Sequence, residues 1–465
     1  MSKLPPRPPP TSRQTSRAAS SSTASSDSTP STSTIRASPT LRERMATPRS
    51  RRLEMERMWS GGEATPPIPL EHYSLAHTLH RPKHILAFPG SGSQYVGMGQ
   101  FLKQYPAAAQ VWDEAEGVMQ TFEAWRRSLK LEEMEGEVGE LGKMLNESEE
   151  ARKRETDFKN VVFNGPQDEL TKSSNAQPAI LITSIAFLRT LESDFSSPVA
   201  REASYFLGHS SGEYSAAVAS GAISFADGVR LTRLHGLLTS AALSLPSINL
   251  SASLDAPPSR LAQMSAIVIN AGHSHQEVAD VINSISPLPG RKGAEGCVEV
   301  ASYNSSAQVV LAGSRDGILR ASEFLRDAGI ASRAADLPVS APFHCSFMKP
   351  AADGMQAALD QIKINSPTAP IVSGLDGTLI NTPSSLIRNL VTQISLPVRW
   401  SHCLTTLRAT DASRLIFLGP GKALANLARR DAAALCVTTV SGEKPDVVSV
   451  ATDADLEDVR ALWEE

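Results

Sequence analysis

The sequence predicts an α/β protein: a larger, parallel-sheet, α/β-hydrolase-like domain with a smaller ferredoxin-like α+β subdomain inserted into it. Three observations carry this. Apolar strand-like runs end in Gly-rich turns and pass into helical runs three times, in "HILAFPGSGSQ" from His84, "YFLGHSSGEYSAAVASG" at 205–221 and "RLIFLGPGKALANLARR" at 414–430. Strands alternating with helices in this way build a parallel sheet. Between residues 264 and 339 the order changes to strand, helix, strand, strand, helix, strand ("MSAIVI", "HQEVADVINSI", "VEVASYN", "QVVLAG", "RDGILRASEFLRDAG", "SRAADLPV"). That order is the ferredoxin-like pattern. The third observation is a G-x-S-x-G turn, Gly208–Ser210–Gly212. Placed after a strand and before a helix, it holds the serine Oγ over the sheet edge, and glycine fits where backbones crowd.

The elements follow in order. Residues 1–80 are Ser-, Pro- and Arg-rich with almost nothing to bury, so this segment is expected to be disordered. Through Arg52 it sets ten basic residues against two acids, Asp27 and Glu43. An Arg- and Ser-rich, acid-poor start is the composition of an organelle transit peptide, so a mitochondrial matrix location is expected, with the cytoplasm as the alternative. The larger domain spans 81–245 and 340–440. The charged stretch 113–157 is read as an exposed helical insertion, and "NAQPAILITSIAFLRTLE" (175–192) as a buried helix. The subdomain occupies 246–339, and 441–465 is read as an acidic C-terminal extension.

Composition narrows the function. The net charge of −4 opposes a nucleic-acid partner, and no apolar run reaches the roughly 18 residues that cross a bilayer. Cys297, Cys345, Cys403 and Cys436 are far apart with no C-x-x-C pair. They read as free thiols, and neither a disulfide framework nor a metal site is expected. A serine on such a turn needs a base to take its proton and donors for the developing oxyanion. The candidate base is His344, in "LPVSAPFHCSFMKP", a loop of small residues and proline. The candidate donors are the backbone N–H groups of Ser211 and of Ser91 in "FPGSGS".

Five segments, "FPGSGSQYVGMG" (88–99), "NAQPA" (175–179), "GHSSGEYSA" (208–216), "VSAPFHC" (339–345) and "LGPGKALANL" (418–427), occur in one order. Together they resemble the malonyl-CoA:acyl carrier protein transacylase family over about residues 84–435. The resemblance implies a discrete acyltransferase of fatty acid synthesis. Ser210 would carry the acyl group between malonyl-CoA and an acyl carrier protein, with no cofactor. It further implies that the backbone carbonyl of Gln393 orients the base, and that Gln177, Asn304, Gln308 and Phe343 line the substrate cleft. Three positions depart from the family. Ser91 replaces a glutamine, Ser306 replaces a proline, and His235 stands where an arginine pairs with the malonyl carboxylate. With an imidazole there, the preference for malonyl over acetyl is expected to weaken between about pH 6 and 8, unless another cation such as Arg230 serves the pocket. Three rivals remain: a relative loading an uncharged acyl group, a serine hydrolase, and an inactive carrier-protein docking module.

Overall fold

The computed structural model describes residues 83–148, 158–248, 262–286, 296–408, 410, 412–431 and 445–464. The transit-like segment 1–80 and Cys436 lie outside the described residues.

The larger domain is built on a six-stranded sheet in the order β10-β9-β1-β2-β7-β8. Its strands are β1 (Lys83–Phe88), β2 (Ala203–Gly208), β7 (Ile371–Val372), β8 (Leu379–Ile380), β9 (Ala412–Leu418) and β10 (Asp446–Val450). Strands β10, β9, β1, β2 and β7 run parallel, and only β8 is antiparallel to its neighbour. β1 lies between β9 and β2, so the turns that follow these three strands all emerge at one sheet edge. In open α/β sheets that carboxyl edge is where ligands bind.

Of helices α1 (Pro106–Ser128), α2 (Gly136–Glu147), α3 (Ser173–Arg189), α4 (Gly212–Ala219) and α5 (Phe225–Ala242), α4 and α3 pack on the sheet, and α1, α2 and α5 pack on the helices around them. Nearly every residue of α3 is buried, as its run of apolar residues requires. Ser224 caps α5 by accepting the Asp227 N–H at 3.1 Å. The described part of the charged stretch, 113–148, departs from its expected exposure. Ala115, Val118, Met119 and Phe122 on α1 and Leu141 and Leu145 on α2 are buried in the main core. Each helix keeps a narrow apolar stripe that the many charges on its outer face mask in the sequence.

The inserted subdomain is a four-stranded antiparallel sheet, β4-β5-β3-β6, from β3 (Ala262–Ile269), β4 (Val298–Ser305), β5 (Gln308–Ser314) and β6 (Ala331–Asp336). Helices α6 (His275–Ile285) and α7 (Arg315–Asp327) pack on one face around Val278, Ile282, Ile318 and Leu325. Sequence order and strand order together make it ferredoxin-like, as expected. The subdomain joins the larger domain where Val398 exchanges backbone bonds with Ala301 and Tyr303.

The C-terminal stretch is more than an extension. β10 pairs in register with β9, and a final helix, Asp453–Glu464, buries Leu456 and Val459 in the main core. The five-residue strand is short and flanked by acids, so only its pairing partner identifies it.

Candidate active site

The G-x-S-x-G turn sits at the carboxyl end of β2. Its backbone lies against the end of β1, where His209 N–H donates to Phe88 C=O at 3.0 Å. A Cβ on Gly208 would come within 2.2 Å of the Glu213 nitrogen, and one on Gly212 within 2.3 Å of the Phe88 carbonyl oxygen. Both glycines are therefore fixed by backbone contact. The turn forces Ser210 to φ +55°, and the base candidate His344 has φ +60°. Among the described residues only Lys130 and Ser196 share this left-handed conformation without being glycine. Such conformations persist where the surroundings impose them.

Ser210 and His344 are 134 residues apart in sequence, and the fold brings Ser210 Oγ to 2.6 Å from His344 Nε2. On its other side, His344 Nδ1 lies 2.7 Å from the Gln393 carbonyl oxygen. A carbonyl can only accept, so Nδ1 carries the proton and Nε2 presents its lone pair to the serine hydroxyl. His344 N–H also donates to Ile394 C=O, which ties the two loops together. Burial pushes the His344 imidazole down to about 4, opposed by its hydrogen bond to Gln393. The ring is thus neutral at physiological pH, the state a general base needs.

Next to the serine, the Ser91 N–H already has a partner: it donates to Ser211 Oγ at 3.1 Å. To reach a substrate oxygen, this donor must exchange the Ser211 hydroxyl for it. Asn304 accepts from His209 Nε2 at 3.0 Å, and its amide donates to Gln308 at 3.3 Å, so the β4–β5 end of the subdomain rests on the serine turn. Phe343 is buried beside His344, with ring centroids 6.4 Å apart. Ser306 uses the N–H that a proline would lack, donating both N–H and O–H to Asp431 of the larger domain.

His235 lies on α5 against Tyr214, ring centroids 5.9 Å apart. Burial, reinforced by His344, pushes it down to about 3. Neither of its ring nitrogens, nor Gln177 Oε1, nor the Tyr214 hydroxyl has a hydrogen-bond partner among the described residues. The pH window of 6 to 8 expected from an ordinary imidazole therefore moves far down. Arg230 is held by Asp227 at 3.1 Å, and Arg233 is buried with Nη1 donating to Asn175 at 2.6 Å.

One residue of the site escaped the sequence reading. Glu213, in the first turn of α4, is fully buried and accepts from Gly374 N–H, from the Asn389 amide and from Gln393 Nε2 at 2.7 Å. Burial pushes its carboxyl up to about 8, against the pull of the Gly374 and Asn389 donors. The available signal was a single charge in the otherwise small and apolar "GEYSAAVA", since a buried polar residue is the informative exception.

Residues 86–280 match the acyl transferase domain family. Fold and match together define an acyltransferase. The chain is 30% identical over 365 residues to the malonyl CoA-acyl carrier protein transacylase of Bacillus subtilis, covering 78% of this chain and 94% of that one. It superimposes on the acyl-carrier-protein-S-malonyltransferase of Bartonella henselae with a TM-score of 0.63 at 27% identity, over 82% of this chain and 99% of that one. A malonyl-transacylase solved in complex with its type II PKS acyl-carrier protein superimposes with a TM-score of 0.62 at 28% identity, over 82% of this chain and all of that one. The chain belongs to the malonyl CoA-acyl carrier protein transacylase family.

Proposed function

We propose that the protein transfers a malonyl group from coenzyme A to the phosphopantetheine thiol of an acyl carrier protein, for fatty acid synthesis, through an ester on Ser210. The 2.6 Å contact between Ser210 Oγ and His344 Nε2 carries this reading, with Nδ1 held on the Gln393 carbonyl. His344 takes the Ser210 proton as Oγ attacks the thioester carbon. The oxyanion is held by the Ser211 N–H and by the Ser91 N–H once Ser211 Oγ turns away. Collapse breaks the C–S bond, and His344 returns the proton to the departing coenzyme A sulfur. The carrier thiol then gives its proton to His344 and attacks the ester, and Ser210 regains a proton as it leaves. No step needs a metal or a cofactor. Gln177, Asn304, Phe343 and His235 line the acyl cleft in this reading.

Mass spectrometry of the protein after malonyl-CoA, and then after carrier protein, tests the proposal. The expected result is a malonyl ester on Ser210 that the carrier thiol discharges. Rapid release of free malonate would indicate a hydrolase, and no adduct an inactive docking module. Acetyl-CoA in the same assay tests the rival acyl group, which the neutral His235 favours. Among the described residues no helix is long and apolar enough to cross a membrane. The Arg-rich stretch through Arg52, with Asp27 and Glu43 as its two acids, supports import into mitochondria. A fluorescent protein fused behind residues 1–60 should reach that organelle, and a diffuse cytosolic signal would refute it.

A further inference from the structure

We propose that Glu213 is a positioning residue for the base, acting on His344 through Gln393, whose side chain it holds while the Gln393 main-chain carbonyl holds the imidazole. This rests on Ser210 and His344 being the nucleophile and base.

Gln393 is gripped at both ends. Its carbonyl oxygen accepts from His344 Nδ1 at 2.7 Å, and its Nε2 donates to the Glu213 carboxylate at 2.7 Å. Glu213 comes from the turn of helix that immediately follows Ser210, so one short segment, 210–213, touches the base directly through Oγ and indirectly through the carboxylate. The remaining donors reach the same carboxyl from the loop after β7 and from the helix Pro383–Thr392 that ends beside Gln393: Gly374 N–H, and the Asn389 amide one helical turn before Gln393. Asn389 is itself fixed by the Ser373 hydroxyl, 2.5 Å from its Oδ1. Among the described residues no cation pairs with Glu213, and two of its three donors, Asn389 and Gln393, belong to the segment that presents the carbonyl. A neutral carbonyl orients a histidine only as well as its own backbone is fixed. A carboxyl group is a suitable anchor for three donors at once, because its two oxygens have lone pairs enough to accept from all of them even when it carries a proton. Small errors in the placement of a catalytic group reduce rates by one to two orders of magnitude.

The test measures the rate of malonyl-enzyme formation and the KM for malonyl-CoA, alongside the melting temperature, in the full-length protein. Glu213→Gln is expected to lower the acylation rate by about tenfold to a hundredfold with little change in KM. Gln393→Met, which keeps the main-chain carbonyl but removes the side-chain donor, is expected to do the same. The double variant should be no worse than the poorer single, since both break one connection. In a His344→Ala background neither substitution should lower the residual rate further. Additive losses, an unchanged rate, a rise in KM alone, or the same fold-loss without His344 would each overturn the inference. Should Glu213→Gln fail to fold, Gln393→Met with and without His344 decides the matter. If Ser210→Ala retains acylation, the underlying reading fails instead, which separates the two.

Discussion

Two walls of the cleft treat buried histidines in opposite ways. His344 and His235 are each 6% exposed, and burial drives both imidazoles far below their ordinary range. On the wall formed by the serine turn and the 393–394 loop, both His344 nitrogens are bound, one by Ser210 and one by the Gln393 carbonyl. On the α5 wall, both His235 nitrogens stand without a partner among the described residues, as do Gln177 Oε1 and the Tyr214 hydroxyl. Burying polar atoms unpaired costs about 1–3 kcal/mol each. The first wall is complete before substrate arrives, as preorganised chemistry requires. In the proposed reading the second wall offers an acyl group the polar atoms of His235, Gln177 and Tyr214 but no charge at position 235, which would separate the reacting machinery from the part that reads the acyl group.

Substitutions on the two walls should therefore differ in size and in kind. The largest loss is expected from Ser210→Ala, more than about a thousandfold in acyl transfer, with an unchanged melting temperature because Gly208 and Gly212 set the turn. Recovery of a malonyl-enzyme from that variant would remove the serine from the mechanism. His344→Ala should slow acylation by about a hundredfold to ten-thousandfold, measured as coenzyme A release in a single turnover.

The pH profile sharpens the contrast. With the His344 imidazole held down to about 4, the basic form persists through the neutral range, so the acylation rate should stay flat from pH 8 to about 5 and fall towards pH 4. A fall centred near 6.5, the ordinary histidine value, would show that the ring titrates as though exposed.

Changes on the α5 wall should alter selectivity more than rate. His235→Arg supplies a permanent charge able to grip both carboxylate oxygens, and is expected to raise malonyl over acetyl selectivity by about tenfold. In the unsubstituted protein that selectivity should not vary between pH 6 and 8, because the imidazole is already neutral throughout. A decline across that range would mean that the bound carboxylate recharges the ring. The smallest effect is expected at Ser211→Ala, which frees the Ser91 N–H from its internal acceptor. The kcat/KM for acylation should rise by up to about fivefold, one hydrogen bond's net worth. A fall would make the hydroxyl a donor to the oxyanion.

The sequence alone was enough for the features that local pattern encodes. Strand–glycine–helix runs at β1, β2 and β9 announced a parallel sheet, and the order of elements over 264–339 announced the ferredoxin-like insertion. The crowding on Gly208 comes from Gly212 and Glu213, a few residues along, whereas that on Gly212 comes from Phe88 at the end of β1; the G-x-S-x-G spacing alone still exposed the serine. Family resemblance, rather than residue chemistry, pointed to Gln393, since every residue has a main-chain carbonyl and its type says nothing about what that carbonyl accepts. Other features existed only once distant segments met. β10 is a strand because β9 lies beside it, and α1 and α2 are core helices because α3, α5 and the helix Lys349–Leu359 cover their narrow apolar stripes. Glu213 serves the base region only because the loop at Gly374 and the helix end at 389–393 turn their donors towards it. His235 is neutral for the same reason: its pKa is set by the solvent that packing removes, and burial is a property of the whole fold.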